Sequence, residues 1–129
     1  MNDIKVSAVV LRDSQGRILT VRKRGTHRFM LPGGKPLADE SPAETAVREV
    51  REEIGAEIDP TLLRFLGERQ APAANEPNTL VHATIFVHPA AVVPRPAAEI
   101  EQIRWLDPHQ ELPPDLAPLL ARQVLPLLT

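Results

Sequence analysis

The chain has 129 residues, 43% hydrophobic and 25% charged, which excludes a disordered or fibrous protein and suits one domain over residues 1–129. A formal net charge of -2 supplies no global basic field, so long nucleic acid is not the expected partner, although a small anionic ligand needs only local charge. The absence of cysteine excludes disulfides, thiolate metal sites and a cysteine nucleophile and fits a cytoplasmic location; the apolar stretch Val6 to Leu11 is too short for a signal peptide or a membrane span.

In chain order, Ile4 to Leu11 and Arg17 to Arg24 are β-rich runs separated by the turn cluster Asp13-Ser14-Gln15-Gly16, which predicts a hairpin. The short apolar run Phe29-Met30-Leu31 is stopped by Pro32-Gly33-Gly34, which permits close backbone approach. Ser41-Pro42-Ala43-Glu44 combines a capping box with a proline at the first helical position, so a helix is predicted from Pro42 to just before Gly55. Ala43, Ala46, Val47, Val50 and Ile54 form its core-facing stripe. Leu62 to Gly67, Thr79 to His88 and Ile100 to Leu106 read as further strands. Asp115 is a candidate cap for a final helix with Leu116, Leu119, Leu120 and Val124 as its apolar stripe and Pro118 in its first turn. Two helices needing a sheet to cover predict helices on either face of a mixed sheet.

The chemistry lies on the polar face of the first helix, where Glu49, Glu52 and Glu53 stand at i, i+3 and i+4. Three carboxylates side by side repel one another, and a divalent cation that prefers oxygen ligands converts the repulsion into coordination. The alternative is a solvated face neutralised by Arg48 and Arg51. His27, His82, His88 and His109 have no metal-ligand spacing. Gly33-Gly34-Lys35 is not a phosphate-binding P-loop, because Arg28 takes the place of its first glycine and Pro36 follows the lysine.

A longer pattern decides between those readings. Gly34, Glu40, Arg48-Glu49-Val50, Glu52-Glu53 and Gly55 resemble the Nudix box, G-x5-E-x7-R-E-U-x-E-E-x-G-U, where U is a bulky aliphatic residue. Seven fixed positions coincide by composition about once in 10^8 starting points. The one departure is Ala56, smaller than the usual final aliphatic. The resemblance implies an α+β Nudix fold, an α/β/α sandwich with a mixed sheet between helices. It also implies hydrolysis of the diphosphate bond of a nucleoside diphosphate linked to another moiety, with Mg2+ or Mn2+ as cofactor. In that reading Glu49, Glu52 and Glu53 are the metal ligands, Arg48 orients a box glutamate, and Glu40 is peripheral. The water-activating base is Glu49 or a carboxylate before the tryptophan-bearing strand; Glu99, six residues before Trp105, is the choice there, with Glu101 and Glu76 as rivals.

Arg22, Lys23, Arg24, Arg28 and Lys35 bracket the glycine loop, and Arg24 and Lys35, with Gly33 and Gly34, are the expected substrate-binding residues. Of the aromatic residues Phe29, Phe65, Phe86 and Trp105, three lie in strand-like runs where core packing is the default. Selectivity is therefore expected from Phe29 and from the loop Ala71 to Asn78, with Asn75 and Glu76 as hydrogen-bonding groups. The competing function is a catalytically silent Nudix-like domain that binds a nucleotide metabolite as a sensor. A homodimer is compatible with the sequence, and no membrane partner is expected.

Overall fold

The computed structural model describes residues 2–89 and 92–128. Strand β1 (Asn2–Leu11) runs parallel to β5 (Thr79–His88), which pairs antiparallel with β4 (Arg64–Pro72), while the two-residue β3 (Gly33–Gly34) pairs antiparallel with β1. The sheet order β3-β1-β5-β4 is therefore mixed. Strands β2 (Ile18–Lys23) and β6 (Ile100–Leu106) form a second, antiparallel sheet.

Side chains alternate along a strand, so β1 feeds two cores at once. Ala8 and Val10 pack with Ala83, Ile85, Leu120 and Val124 on one face. Val9 and Leu11 pack with Phe86 and with Ala46, Val50 and Ile54 of helix α1 (Pro42–Ile54) on the other. Burial of both faces explains the almost uninterrupted apolar run Val6 to Leu11. The sheet lies between helices, as expected.

Helix α1 has the predicted bounds for the predicted reasons. Ser41 accepts from the Glu44 amide, the Glu44 side chain accepts from the Ser41 amide, and Pro42 opens the first turn. Gly55 ends the helix at φ 67, its amide donating to the Arg51 carbonyl, a left-handed cap that glycine adopts without steric cost.

Three expectations are corrected. The turn at Asp13 forms, with Gly16 at φ 79 and its amide donating to Asp13, but it does not close a hairpin: only Arg12 and Ile18 bridge before β2 leaves to pair with β6. A turn signal sets local reversal, whereas the ladder partner of β2 lies some eighty residues away in sequence. The strand expected from Leu62 starts at Arg64, because Asp59 caps a 3-10 turn, Pro60–Leu62, ahead of it. The expected final helix is a π-helix, Leu119–Val124, whose exit amide at Leu125 donates to the Leu120 carbonyl, followed by a 3-10 turn, Leu125–Leu127. Asp115 does not cap it, since both carboxylate oxygens are held by Arg104 at 2.6 and 3.0 Å. Of the expected stripe, Leu116, Leu120 and Val124 are nevertheless buried, and Leu119 is half-buried. No helix among the described residues is long and apolar enough to cross a membrane.

Candidate active site

The site is built where α1 passes the glycine pair. β3 lies so close to β1 that a Cβ on Gly33 would overlap the Ser7 carbonyl oxygen. A Cβ on Gly34 would stand 2.6 Å from the carboxyl carbon of Glu49. Two residues without side chains thus let the backbone touch both the sheet and the acidic face of the helix.

Arg48 organises that face. Its Nε and Nη2 donate to the two oxygens of Glu40 at 2.7 and 2.9 Å. Nη1 donates to Glu49 at 2.7 Å and to Glu52 at 3.2 Å, and Nη2 also reaches the Lys35 carbonyl at 2.9 Å. Glu40 in turn accepts from the Leu37 amide and from the Thr45 hydroxyl. The Arg48 bond, then the Leu37 amide, bring the Glu40 carboxyl down to about 2. Glu40 is therefore a brace: it pins the loop after the glycine pair to the helix through a bidentate arginine contact.

Glu53 is different in kind. It is 4% exposed, and its Oε1 accepts from the Gly33 amide at 2.9 Å. Burial, with further repulsion from Glu49 and Glu99, pushes its carboxyl up to about 8. Burial also raises the Glu49 carboxyl, against the opposing pull of Arg48. Desolvated carboxylates crowded at one place are the electrostatic condition a divalent cation relieves, and an all-oxygen donor set suits a hard ion such as Mg2+. The residues present fit such an ion in chemistry. Among the described residues no group of three acidic or histidine side chains already stands at metal-holding spacing: Glu49 and Glu52 are turned to Arg48, and Glu53 to Gly33.

Glu99 reaches this place because its loop is tied to the end of α1. The Ala97 amide donates to the Glu53 carbonyl at 3.0 Å and the Arg95 amide to the Ile54 carbonyl at 2.8 Å, satisfying carbonyls that the last helical turn leaves open. The Arg24 amide donates to the Glu99 carbonyl at 2.8 Å, and Ala98 turns the chain at φ 51. The Glu99 carboxylate faces Lys23 Nζ at 3.5 Å. Pairing of β2 with β6 shifts register between Arg22 and Lys23, a bulge of the kind that re-aims side chains beside functional sites.

A cleft of about 410 Å3 opens beside these groups, and Glu40, Glu52 and Glu53 do not line it. Gly33, Gly34, Lys35, Arg48, Glu49, Glu99 and Lys23 line it, as do Asn75 and Glu76 from the β4–β5 loop. Of the two cations preferred from sequence, Lys35 lies on the cleft and Arg24 does not: Arg24 is exposed and faces Glu101 at 3.9 Å. Lys23 takes its place. Glu101 is held by Arg22 at 2.8 Å and is absent from the cleft lining. Arg28 bonds the Leu116 carbonyl.

Phe29, expected to contribute to selectivity, is 3% exposed and lies beneath the Arg104 guanidinium, 3.7 Å from its ring centre. Phe65, taken by default as core, is 62% exposed on β4 and meets Phe86 edge to face. Lys23, grouped with the loop cations in the sequence but not preferred there, is the last residue of β2, and Arg24 lies in the turn that follows.

A family model for the NUDIX domain matches residues 1–128. The chain belongs to the Nudix hydrolase family. Among its relatives, a "MutT-like protein" of Streptomyces ambofaciens is 28% identical over 110 residues, 85% of this chain and 67% of that protein. A Bacillus subtilis (strain 168) protein named "Putative 8-oxo-dGTP diphosphatase" is 31% identical over 116 residues, 90% of this chain and 73% of that one. The crystal structure of a MutT NUDIX hydrolase from Burkholderia pseudomallei superposes with a TM-score of 0.82 at 21% identity, covering 100% of both chains, so this Nudix hydrolase shares that fold.

Proposed function

We propose that this Nudix hydrolase cleaves the diphosphate bond of a nucleoside diphosphate joined to another group, by attack of water at phosphorus, using Mg2+ or Mn2+. The observation that carries the reading is the acidic face of α1, with Glu53 buried on the Gly33 amide and Glu49 and Glu52 on Arg48, next to a cleft lined by Gly33, Glu49, Glu99, Lys23 and Lys35. A module that only binds nucleotides has no need of that full carboxylate set, which argues against the sensor alternative.

Glu49, Glu52 and Glu53 would hold the cation. Bound there, a divalent ion neutralises phosphate charge and makes a coordinated water more acidic. Lys23 and Lys35 contribute the remaining positive charge toward phosphate oxygens. Arg48 holds Glu49 and Glu52 in place while its bond to Glu40 fixes the loop that follows Gly34. Glu99 is the group that takes the proton from the attacking water: its carboxylate is 66% exposed and its ion-pair partner is Lys23 at 3.5 Å, whereas Glu49 is already committed to Arg48 at 2.7 Å. Glu49 is the second candidate for that step.

The test is turnover of purified protein against nucleoside triphosphates, nucleotide sugars, ADP-ribose and dinucleotides, followed by mass spectrometry. Deoxynucleoside triphosphates, with an oxidised guanine among them, come first because of the name carried by the Bacillus relative. Magnesium-dependent release of a nucleoside monophosphate supports the reading; tight binding of a panel member with no product supports the sensor.

A further inference from the structure

Asp115 caps no helix, and its contacts lead to the cleft by another route. Between β6 and the π-helix the chain belongs to no strand or helix, and a parallel bridge from Phe29 to Leu116 attaches it to the segment before Pro32. Two backbone bonds make that bridge: the Phe29 amide donates to the Asp115 carbonyl and the Ala117 amide to the Phe29 carbonyl, both at 2.8 Å. A parallel pairing of one rung is a weak attachment, because strands gain stability from neighbouring rungs. Yet both of its sides reach the cleft, Met30 and Leu31 from one and Ala117, Leu119 and Leu120 from the other. Leu31, Leu116 and Leu120 share one buried cluster, and Leu119 packs half-buried against it. Whatever holds the bridge therefore holds this apolar side of the cleft.

Arg104 of β6 holds it from outside. Its Nη1 and Nη2 donate to the two oxygens of Asp115 at 3.0 and 2.6 Å, and the same guanidinium lies 3.7 Å from the centre of the Phe29 ring. One side chain thus grips both flanks of the bridge, Asp115 by a two-point fork and Phe29 by a cation–π contact. The root of Arg104 is fixed in turn, since the Thr20 hydroxyl donates to its carbonyl at 2.6 Å. The two charged side chains are 31% and 37% exposed, and an ion pair so placed adds little to global stability. Its geometry serves placement of the segment it holds.

We infer that Arg104 and Asp115 are positioning residues for the ligand: clamped across Phe29, they set the bridge and, through it, the apolar side formed by Met30, Ala117 and Leu119 that receives the organic part of a nucleotide. Without the clamp the segment carrying Ala117 and Leu119 drifts, and the ligand loses contact while the carboxylates of α1 stay as they are. Phe29 then contributes to binding from beneath this side of the cleft, under Arg104, without touching the ligand. The inference rests on the hydrolase reading only in taking this cleft as the nucleotide's place.

The test is a double-mutant cycle of Arg104→Gln, Asp115→Asn and the two together, with Asp115→Glu as the conservative variant. It is read by calorimetric binding of AMP, GMP, CMP and UMP, none of which has an anhydride bond to cleave, and by steady-state kinetics on the nucleotide panel. For the tightest of the four monophosphates, Kd should rise about 10-fold in each single variant, the scale of a lost apolar contact, and no further in the double. KM should rise alike, with kcat and the metal requirement unchanged. Asp115→Glu keeps two oxygens for the fork and should recover most of the affinity. A clamp that serves the fold alone would lower the melting temperature and leave Kd and KM parental, which would overturn the inference. Additive losses in the double variant, or no binding of any of the four monophosphates by the parent, would overturn it too. Weakened binding in the variants without magnesium-dependent turnover of any panel member sinks the hydrolase reading and keeps the clamp; turnover with parental KM in every variant does the reverse.

Discussion

Oε1 of Glu53 accepts the Gly33 amide at 2.9 Å, so the last turn of α1 is joined to the glycine pair through a carboxylate that is 4% exposed. The same carboxylate belongs to the proposed cation site. The group that ties the glycine loop to the helix in the free protein is therefore also one of the proposed cation ligands.

This makes stability depend on pH in a definite sense. The Glu53 carboxyl is raised from an ordinary 4.5 to about 8, first by burial. A group raised in the folded state contributes stability that is full below its unfolded value and lost as pH rises through the folded value. In chelator, the melting temperature should fall between about pH 5 and about pH 8, by roughly 4 °C for each kcal/mol lost. Magnesium should restore it, most at the alkaline end, and Glu53→Gln should flatten both responses. Scanning calorimetry across pH with and without metal checks this; a melting temperature that rises over that interval in chelator contradicts it.

The two glycines should respond differently to alanine. At Gly34 the added Cβ meets the far end of a flexible side chain, the Glu49 carboxylate at 2.6 Å. Gly34→Ala should keep its melting temperature within a few degrees and lose about 100-fold in kcat, the cost of misplacing a reacting group by about 1 Å. At Gly33 the Cβ meets the backbone of Ser7 and Ala8, so Gly33→Ala should lose stability by about 2 kcal/mol or more. Denaturant unfolding and steady-state kinetics on both variants separate the two effects.

Arg48→Lys should fail although it preserves charge. Lysine cannot span Glu40, Glu49 and the Lys35 carbonyl at once, as the Arg48 guanidinium does, because it presents one compact ammonium in place of a planar fork. The expected result is a loss of about 1 to 3 kcal/mol in unfolding free energy with a fall in kcat. Glu40→Gln should lower the melting temperature and spare more of the rate, since Glu40 braces the loop and is absent from the cleft lining. Equal rates for Arg48→Lys and the parent would remove Arg48 from the account.

Helix α1 was legible to the residue because its ends are written locally: Ser41, Pro42 and Glu44 at one end and Gly55 at the other each act within a few positions. The spacing of Glu49, Glu52 and Glu53 is equally local, but their contacts are not shared: Glu49 and Glu52 meet Arg48 while Glu53 meets the Gly33 amide. What was not legible depends on residues far apart in sequence. The partner of β2 is set by burial of Leu19 and Val21 against the α1 face and by the Thr20 hydroxyl on the Arg104 carbonyl at 2.6 Å, none of which the turn at Asp13 encodes. The choice of Lys23 over Arg24 follows from the register shift between β2 and β6. Phe29 is buried because Arg104, itself clamped by Asp115, lies over it, and no pattern near Phe29 announces that.

In the proposed mechanism the helix carboxylates Glu49, Glu52 and Glu53 hold a cation while Glu99 accepts the proton from water. A metal titration of turnover at saturating substrate, with the parent, Glu52→Gln, Glu53→Gln, Glu49→Gln and Glu99→Gln, tests it most directly. Glu52→Gln and Glu53→Gln should need more metal and recover part of their rate when it is supplied. Glu99→Gln should lose about 10^2 to 10^4 in maximal rate with little change in apparent metal affinity, and Glu49→Gln should show both defects. Parental turnover by Glu99→Gln, with Glu49→Gln inactive at every metal concentration, would move the proton transfer to α1; undiminished turnover of the parent in excess chelator would contradict the account altogether.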